Sequence, residues 1–158
     1  MDRNLLFPIE SNVITSSIRT DLGLGQSAPQ MLEAVGLENV RRWIPFNYDE
    51  ARLNNYVLNK SLRPASLPMT SRDLYIEHAL LRAGVRTMII ESNPDWEYDP
   101  LDVSLVIGTG AALTNTGHPG YDSLLMLDSL QPAGVTVLQS DPHGLVPAMG
   151  AIALVAPS

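Results

Sequence analysis

The sequence predicts a layered α/β fold, and three observations carry that prediction. An apolar run rich in branched side chains, Val103–Ile107, stops at Gly108-Thr109-Gly110-Ala111, as a buried strand ending in a tight loop does. Residues 71–91 carry apolar side chains at helical spacing rather than in alternation. From there the chain reads helix, strand, helix, strand, helix, the order that stacks helices on a sheet.

Taken in chain order, residues 4–19 alternate loosely, with Val13, Ile14 and Ile18 among polar neighbours. They supply one or two strands, the first confined to an edge by Pro8, which has no backbone N–H to give a ladder. Gly23 and Gly25 then break the chain. Ser27-Ala28-Pro29-Gln30 has the form of a capping box: Ser27 at the N-cap, a proline in the first turn and Gln30 at N3. The helix it opens should end near Gly36, a residue suited to a C-terminal cap. A second helix is predicted from Asp49 to Lys60, with Leu53, Tyr56, Val57 and Lys60 along one side. Arg63-Pro64 and Leu67-Pro68 interrupt it, because the residue before a proline avoids helical geometry.

The next helix has the clearest start. Thr70-Ser71-Arg72-Asp73 places a threonine three residues before an acid. Leu74, Leu81, Val85 and Met88 form a stripe that Ile76, Leu80 and Ile89 widen, and such a stripe reads as core. Gly84 sits inside it at a cost of roughly 1 kcal/mol against alanine, which predicts close packing there. His78 reads as a helix-surface or boundary histidine, since the sequence shows no partner for it. Asn93–Pro100 is a polar loop with two aromatics. A helix over Tyr121–Leu130, a strand over Val135–Leu138, the turn Asp141-Pro142-His143-Gly144 and a small-residue helix from Leu145 to Val155 complete the chain.

Composition narrows the function. With 158 residues, the simplest reading is one domain, with strands and a helical segment in residues 1–68 and an α/β part in 69–158. The net charge of −7, with no basic stripe, disfavours nucleic acid and anionic membranes. The longest apolar run, Ala151–Ala156, is too short to span a bilayer, and Met1-Asp2-Arg3-Asn4 lacks a signal peptide's basic start and apolar core. Cysteine is absent, which excludes disulfides, thiolate metal sites and cysteine nucleophiles. A cytoplasmic, non-redox protein is expected.

Catalytic motifs are few. Gly108-Thr109-Gly110 could open a dinucleotide fold, but Leu113 stands where a Rossmann fingerprint needs a third small residue, and no Walker lysine is near. Lys60 is the sole lysine, so phosphate chemistry resting on lysine is ruled out. Nucleotide binding would rest on backbone approach to a base or ribose; the alternative, tight strand-to-helix packing, is what spacing alone favours. Asp21-Leu22-Gly23-Leu24-Gly25 could position a metal-bound water or a phosphate, or simply form an aspartate turn. Asp141 with His143 could bind a metal, but a Pro/Gly loop with solvated polar residues is the reading preferred there and at His118, and the cluster Asp95, Glu97 and Asp99 reads as solvated surface. Neither a Gly-x-Ser-x-Gly elbow nor a His-Glu-x-x-His helix is present.

Several segments in order resemble a known family. Arg19-Thr20-Asp21-Leu22-Gly23, the segment Pro64–Val85 with its Leu67-Pro68-Met69-Thr70 start, Val106 to Thr114, and Asp141-Pro142 followed by Pro147-Ala148-Met149-Gly150 are similar to the MutL-like proteins associated with glutamate mutase. These are unrelated to the mismatch-repair protein of similar name. The resemblance implies a partial ribonuclease-H-like lobe with an inserted helical segment, of the actin, sugar-kinase and heat-shock-chaperone ATPase superfamily. It makes Gly108, Thr109, Gly110 and Ala111 candidate adenosine contacts, with Asp21 and Gly23 as further candidates. Ala111 replaces a second glycine of the family pattern and Thr20 a glycine before the aspartate. The superfamily's two Asp-x-Gly-x-Thr phosphate loops are missing, so the chain resembles the later part of such a protein. ATP is then a ligand of a longer parent and none is expected tightly bound here. The parent would assist a cobalamin-dependent mutase. Self-association through the N-terminal strands or the glycine-loop face is also expected, and a protein-interaction or dimerisation module is the alternative reading.

Overall fold

The computed structural model describes residues 19–92 and 101–155. The strands expected before Arg19 and the loop Asn93–Pro100 lie outside the described residues. What is described is mixed α/β and mostly helical: α1 (Ala28–Val35), α2 (Leu37–Arg41), α3 (Glu50–Leu62), α4 (Ser71–Ser92), β1 (Leu105–Thr109), α5 (Ala111–Thr114), α6 (Pro119–Leu130), β2 (Val137–Asp141) and α7 (Leu145–Val155).

The helical segment builds the core. α1 buries Ala28, Met31, Leu32 and Val35, and α3 buries Leu53, Val57 and Lys60, each set on one face. These close with Val40, Ile44 and the α4 residues Ile76, Ala79, Leu80 and Ala83 into one cluster. Leu53, Ile76 and Leu80 are fully enclosed and contribute roughly 1.5–3 kcal/mol each by burial. Gly36, at φ 82°, ends α1 as expected. The start of α1 is correctly placed, but its chemistry is not a capping box. The Ser27 hydroxyl donates to the Thr20 carbonyl at 3.0 Å, and no side chain caps the helix. Ser27 sits at φ −86° and ψ 10°, outside the extended geometry from which an N-cap hydroxyl reaches the helix N–H groups. α2 has no counterpart in the sequence reading, being a single turn and a half.

α4 starts as predicted. The Thr70 backbone N–H donates to Asp73 Oδ2 at 3.0 Å, and the Asp73 N–H donates to Thr70 Oγ1 at 3.2 Å. Its burial differs from the predicted stripe. Residues 76–80 and 82–84 are buried, whereas Leu74 is exposed and Leu81, Val85 and Met88 are half-buried. The helix is enclosed on most sides through its middle, so Glu77, His78 and Arg82 are buried with the apolar residues and each needs a polar partner. Gly84 packs against the Met31 side chain, as its position predicted.

The sheet has two parallel strands, with Leu105 beside Val137 and Thr109 beside Asp141. Both start two residues later than the apolar runs suggest. The Val103 carbonyl accepts from Thr136 Oγ1 at 2.7 Å and the Ser104 carbonyl from the Val137 N–H at 2.9 Å, and pairing proceeds from there. The strand therefore includes Gly108 and Thr109, and only Gly110 is left as the turn. Val106, Gly108, Leu138 and Ser140 share one face, which α6 covers: a Cβ on Gly108 would stand 2.5 Å from Met126 Sδ. On the other face, Leu105, Ile107 and Val137 are exposed, as are Leu145, Met149 and Ile152 of α7. Among the described residues no helix is long and apolar enough to cross a membrane.

Candidate functional site

The carboxyl ends of β1 and β2 lie side by side, and each ends in a polar residue. Thr109 Oγ1 donates to the Asp141 carbonyl at 3.3 Å. The Asp141 carboxylate accepts from the Leu145 and Val146 N–H groups at 3.0 and 2.9 Å. It thereby caps α7, and those backbone donors hold its pKa below the usual carboxylate value. Asp141 is thus a buried strand-end residue whose side chain satisfies the first two N–H groups of α7, and not the solvated loop residue its Pro/Gly setting suggested.

Gly110 turns the chain out of β1 at φ 99°, a conformation that L side chains rarely adopt, and nothing lies within 4 Å of where its Cβ would be. Ala111 then starts α5. Two cavities flank this turn. One, of about 320 Å³, is lined by Leu22, Leu24, Leu81, Thr109, Gly110 and Ala112 among others, and is largely apolar. The other, of about 490 Å³, is lined by Gly25, Lys60, Glu77, His78, Ala111 and Thr116 among others. Both volumes fall in the ordinary range of small-molecule sites. Ala111 and Ala112 border both.

The larger cavity has a charged wall. Lys60 Nζ lies 2.5 Å from Glu77 Oε1, with both side chains about nine-tenths buried. Lys60 also donates to the Ser66 carbonyl, and the Tyr56 hydroxyl donates to Glu77 Oε1 at 2.9 Å. Burial, and secondarily Glu77, raises the Tyr56 hydroxyl pKa well above its usual value. His78 is buried, with its Nδ1 3.2 Å from the Tyr121 hydroxyl, so the partner missing from the local sequence comes from α6. Burial, followed by the nearby Arg82 guanidinium, lowers its pKa and favours the neutral imidazole. Arg82 Nε donates to Asp128 Oδ2 at 2.8 Å, and its guanidinium lies over the Trp43 ring.

The predicted residues separate in space. Thr109, Gly110 and Ala111 border the cavities. Gly108 faces away from them, where its lack of a side chain admits Met126. Asp21 is clamped by Arg19, whose Nε and Nη2 donate to its two oxygens at 2.9 and 2.6 Å; Arg19 also reaches Glu91. The Arg19 hydrogen bonds hold the Asp21 pKa down to about 2. Asp21 and Gly23 lie beside the apolar cavity's Leu22 and Leu24 without lining it themselves. Sequence reasoning misses Glu77 and His78 as cavity residues, and it marks Lys60 for its rarity and its place along one side of α3 but not as part of a cavity. The available signal was a lone lysine on the apolar side of α3. Among the described residues, no group of three His, Asp or Glu side chains could hold a metal ion.

The parallel strands and the glycine turn at their carboxyl ends define an α/β protein with cavities in the position where open sheets hold ligands. A family model described as MutL protein matches residues 2–158. The chain belongs to that family, whose name is known in the context of glutamate mutase. No curated protein and no solved structure matches it.

Proposed function

We propose that the Gly110 turn and its two cavities receive the adenosine portion of a nucleotide, within an ATPase-fold protein that assists a cobalamin-dependent mutase. One observation carries the reading: Thr109, Gly110 and Ala111 follow a parallel strand directly into two adjoining cavities, one apolar and one with a charged wall. The apolar cavity suits a base. Lys60 and Glu77 supply a donor and an acceptor for hydroxyls at the other. The absent Gly110 side chain lets a ligand approach the backbone. The ribonuclease-H-like character of the lobe belongs to this proposal, supported by family membership and the strand–glycine–helix order. No Asp-x-Gly-x-Thr loop is present in the sequence to position a γ-phosphate, so residues 1–158 should bind without turnover.

The test is calorimetric titration with adenosine and ADP. Gly110 is a poor position to mutate, because any side chain there is strained at φ 99°. Ala112→Phe fills both cavities from α5 instead. Saturable binding that this variant abolishes is expected. No saturation at millimolar nucleoside, or binding retained in the variant, overturns the reading.

A second reading, a protein-interaction or dimerisation module, is favoured by two apolar surfaces among the described residues: exposed Leu105, Ile107 and Val137 on the sheet, and exposed Leu145, Met149 and Ile152 on an α7 with no charged residue. Parallel sheets are ordinarily covered on both faces. Sedimentation at moderate salt tests it: association that Ile107→Lys reverses is expected, and a monomer at high concentration refutes it.

A further inference from the structure

A third cavity, of about 310 Å³, opens at the far end of α4, between α2, α4 and the end of α6. Its lining includes Asn39, Arg42, Trp43, Arg86, Thr87 and Gln131. It shares no lining residue with either cavity at the glycine turn and is therefore a separate site.

Its lining holds two arginines and no acidic residue. Around it, Arg41 pairs with Glu38 and Arg82 with Asp128. Arg42 and Arg86 have no carboxylate partner among the described residues, although the whole chain is at −7. Arg86 Nη1 donates to the Leu130 carbonyl at 3.0 Å, which fixes the guanidinium at the cavity and answers one carbonyl of the α6 C-terminus. A helix C-terminus carries only about half a negative charge, so the two full positive charges dominate. Gln131, the one non-glycine residue at positive φ among those described, is held at φ 50° by its N–H bond to the Leu127 carbonyl and adds an amide to the lining. Asn39 and Thr87 add further polar groups, and the Trp43 ring supplies a flat wall.

We propose that this cavity binds a small multivalent oxyanion, a phosphate or a dicarboxylate, between Arg42 and Arg86. Two guanidinium groups beside amide and hydroxyl donors match the geometry of such a group, and charge-assisted hydrogen bonds are about twice as strong as neutral ones. The chain without ligand leaves two like charges facing one space, and the anion relieves that repulsion.

The test follows Trp43 emission in the full chain, with Trp96→Phe so that one indole remains, during titration with inorganic phosphate and separately with succinate at constant ionic strength. A saturable response to one or both is expected, and which one saturates identifies the headgroup. Arg42→Gln, an exposed position, should weaken it about tenfold, the loss of one charge-assisted bond. Arg86→Lys, which keeps the charge and a donor for Leu130, should weaken it less than Arg86→Gln. Ala112→Phe should leave it unchanged, so this site and the adenosine site stand or fall separately. A response that only follows ionic strength, or one that Arg42→Gln leaves intact, overturns the proposal.

Discussion

Replacing Glu77 by Gln should destabilise the protein by about 3 kcal/mol, because it leaves the Lys60 ammonium buried without its counter-charge. The pair is 2.5 Å apart with both side chains about nine-tenths buried. Breaking such a pair from one side typically costs roughly 3–5 kcal/mol. Glutamine still offers an oxygen to Lys60 and to the Tyr56 hydroxyl, and the Ser66 carbonyl remains, which places the loss at the lower end. For a chain of this size each kcal/mol moves Tm by about 2–4 °C, so the expected fall is roughly 6–12 °C. Lys60→Met alone strands the carboxylate and should cost a similar amount. Lys60→Met with Glu77→Gln removes both charges and should cost much less than the sum. Urea unfolding at neutral pH of the four proteins gives the coupling free energy, expected at about 1.5 kcal/mol or more. Additive losses within about 0.5 kcal/mol would show that the two charges are solvated in solution and do not form the cavity wall described above.

Other perturbations test the remaining parts. Gly108→Ala places a methyl group against Met126 and should cost about 1–3 kcal/mol, with partial recovery when Met126 is also shortened to Ala; thermal melts measure both. His78 has a lowered folded pKa, so its contribution is fully present above its unfolded value of about 6.5 and is lost as pH falls toward the folded one. Denaturation between pH 7.5 and 5.5, values chosen to bracket about 6.5, should show stability falling with pH, and His78→Gln should flatten that slope. A slope unchanged in His78→Gln would place the titration elsewhere.

Local signals were legible where the chemistry is local. The Thr70–Asp73 reciprocal bonds and the Gly36 stop both occur within a turn of the residues that announce them, and α3 starts one residue after the predicted Asp49, which caps it through Ala51. The start of α7 at Leu145 is where the sequence puts it, because the Asp141–Gly144 turn ends there and small and apolar residues follow. The strands were found but displaced by two residues, since hydrophobicity marks burial and not hydrogen bonding, and these strands continue through Gly108 into polar residues. The α4 stripe was misread for a similar reason. A helix enclosed on most sides has no single apolar face, and Glu77, His78 and Arg82 are buried through partners on α3 and α6 that no local window contains. At the site, the glycine turn was visible in the sequence. The charged wall was not, because Lys60, Glu77 and His78 meet only after the helices pack.

The one-sided sheet also sets where the molecule opens. The helical cluster draws its members from residues 28–83 and encloses Leu53, Ile76 and Leu80 completely, so its amides exchange with solvent only through a large cooperative opening. Among the described residues, β1 and β2 pack on each other, on α6 and on the short α5, and leave Leu105, Ile107 and Val137 exposed. Hydrogen exchange should therefore divide this chain into two tiers, slow across α1, α3 and the first half of α4, and fast across β1, β2 and α7. The glycine turn stands on the fast tier while Lys60 and Glu77 stand on the slow one. Anything gripping both would be read out as protection spreading from the helices into the strands.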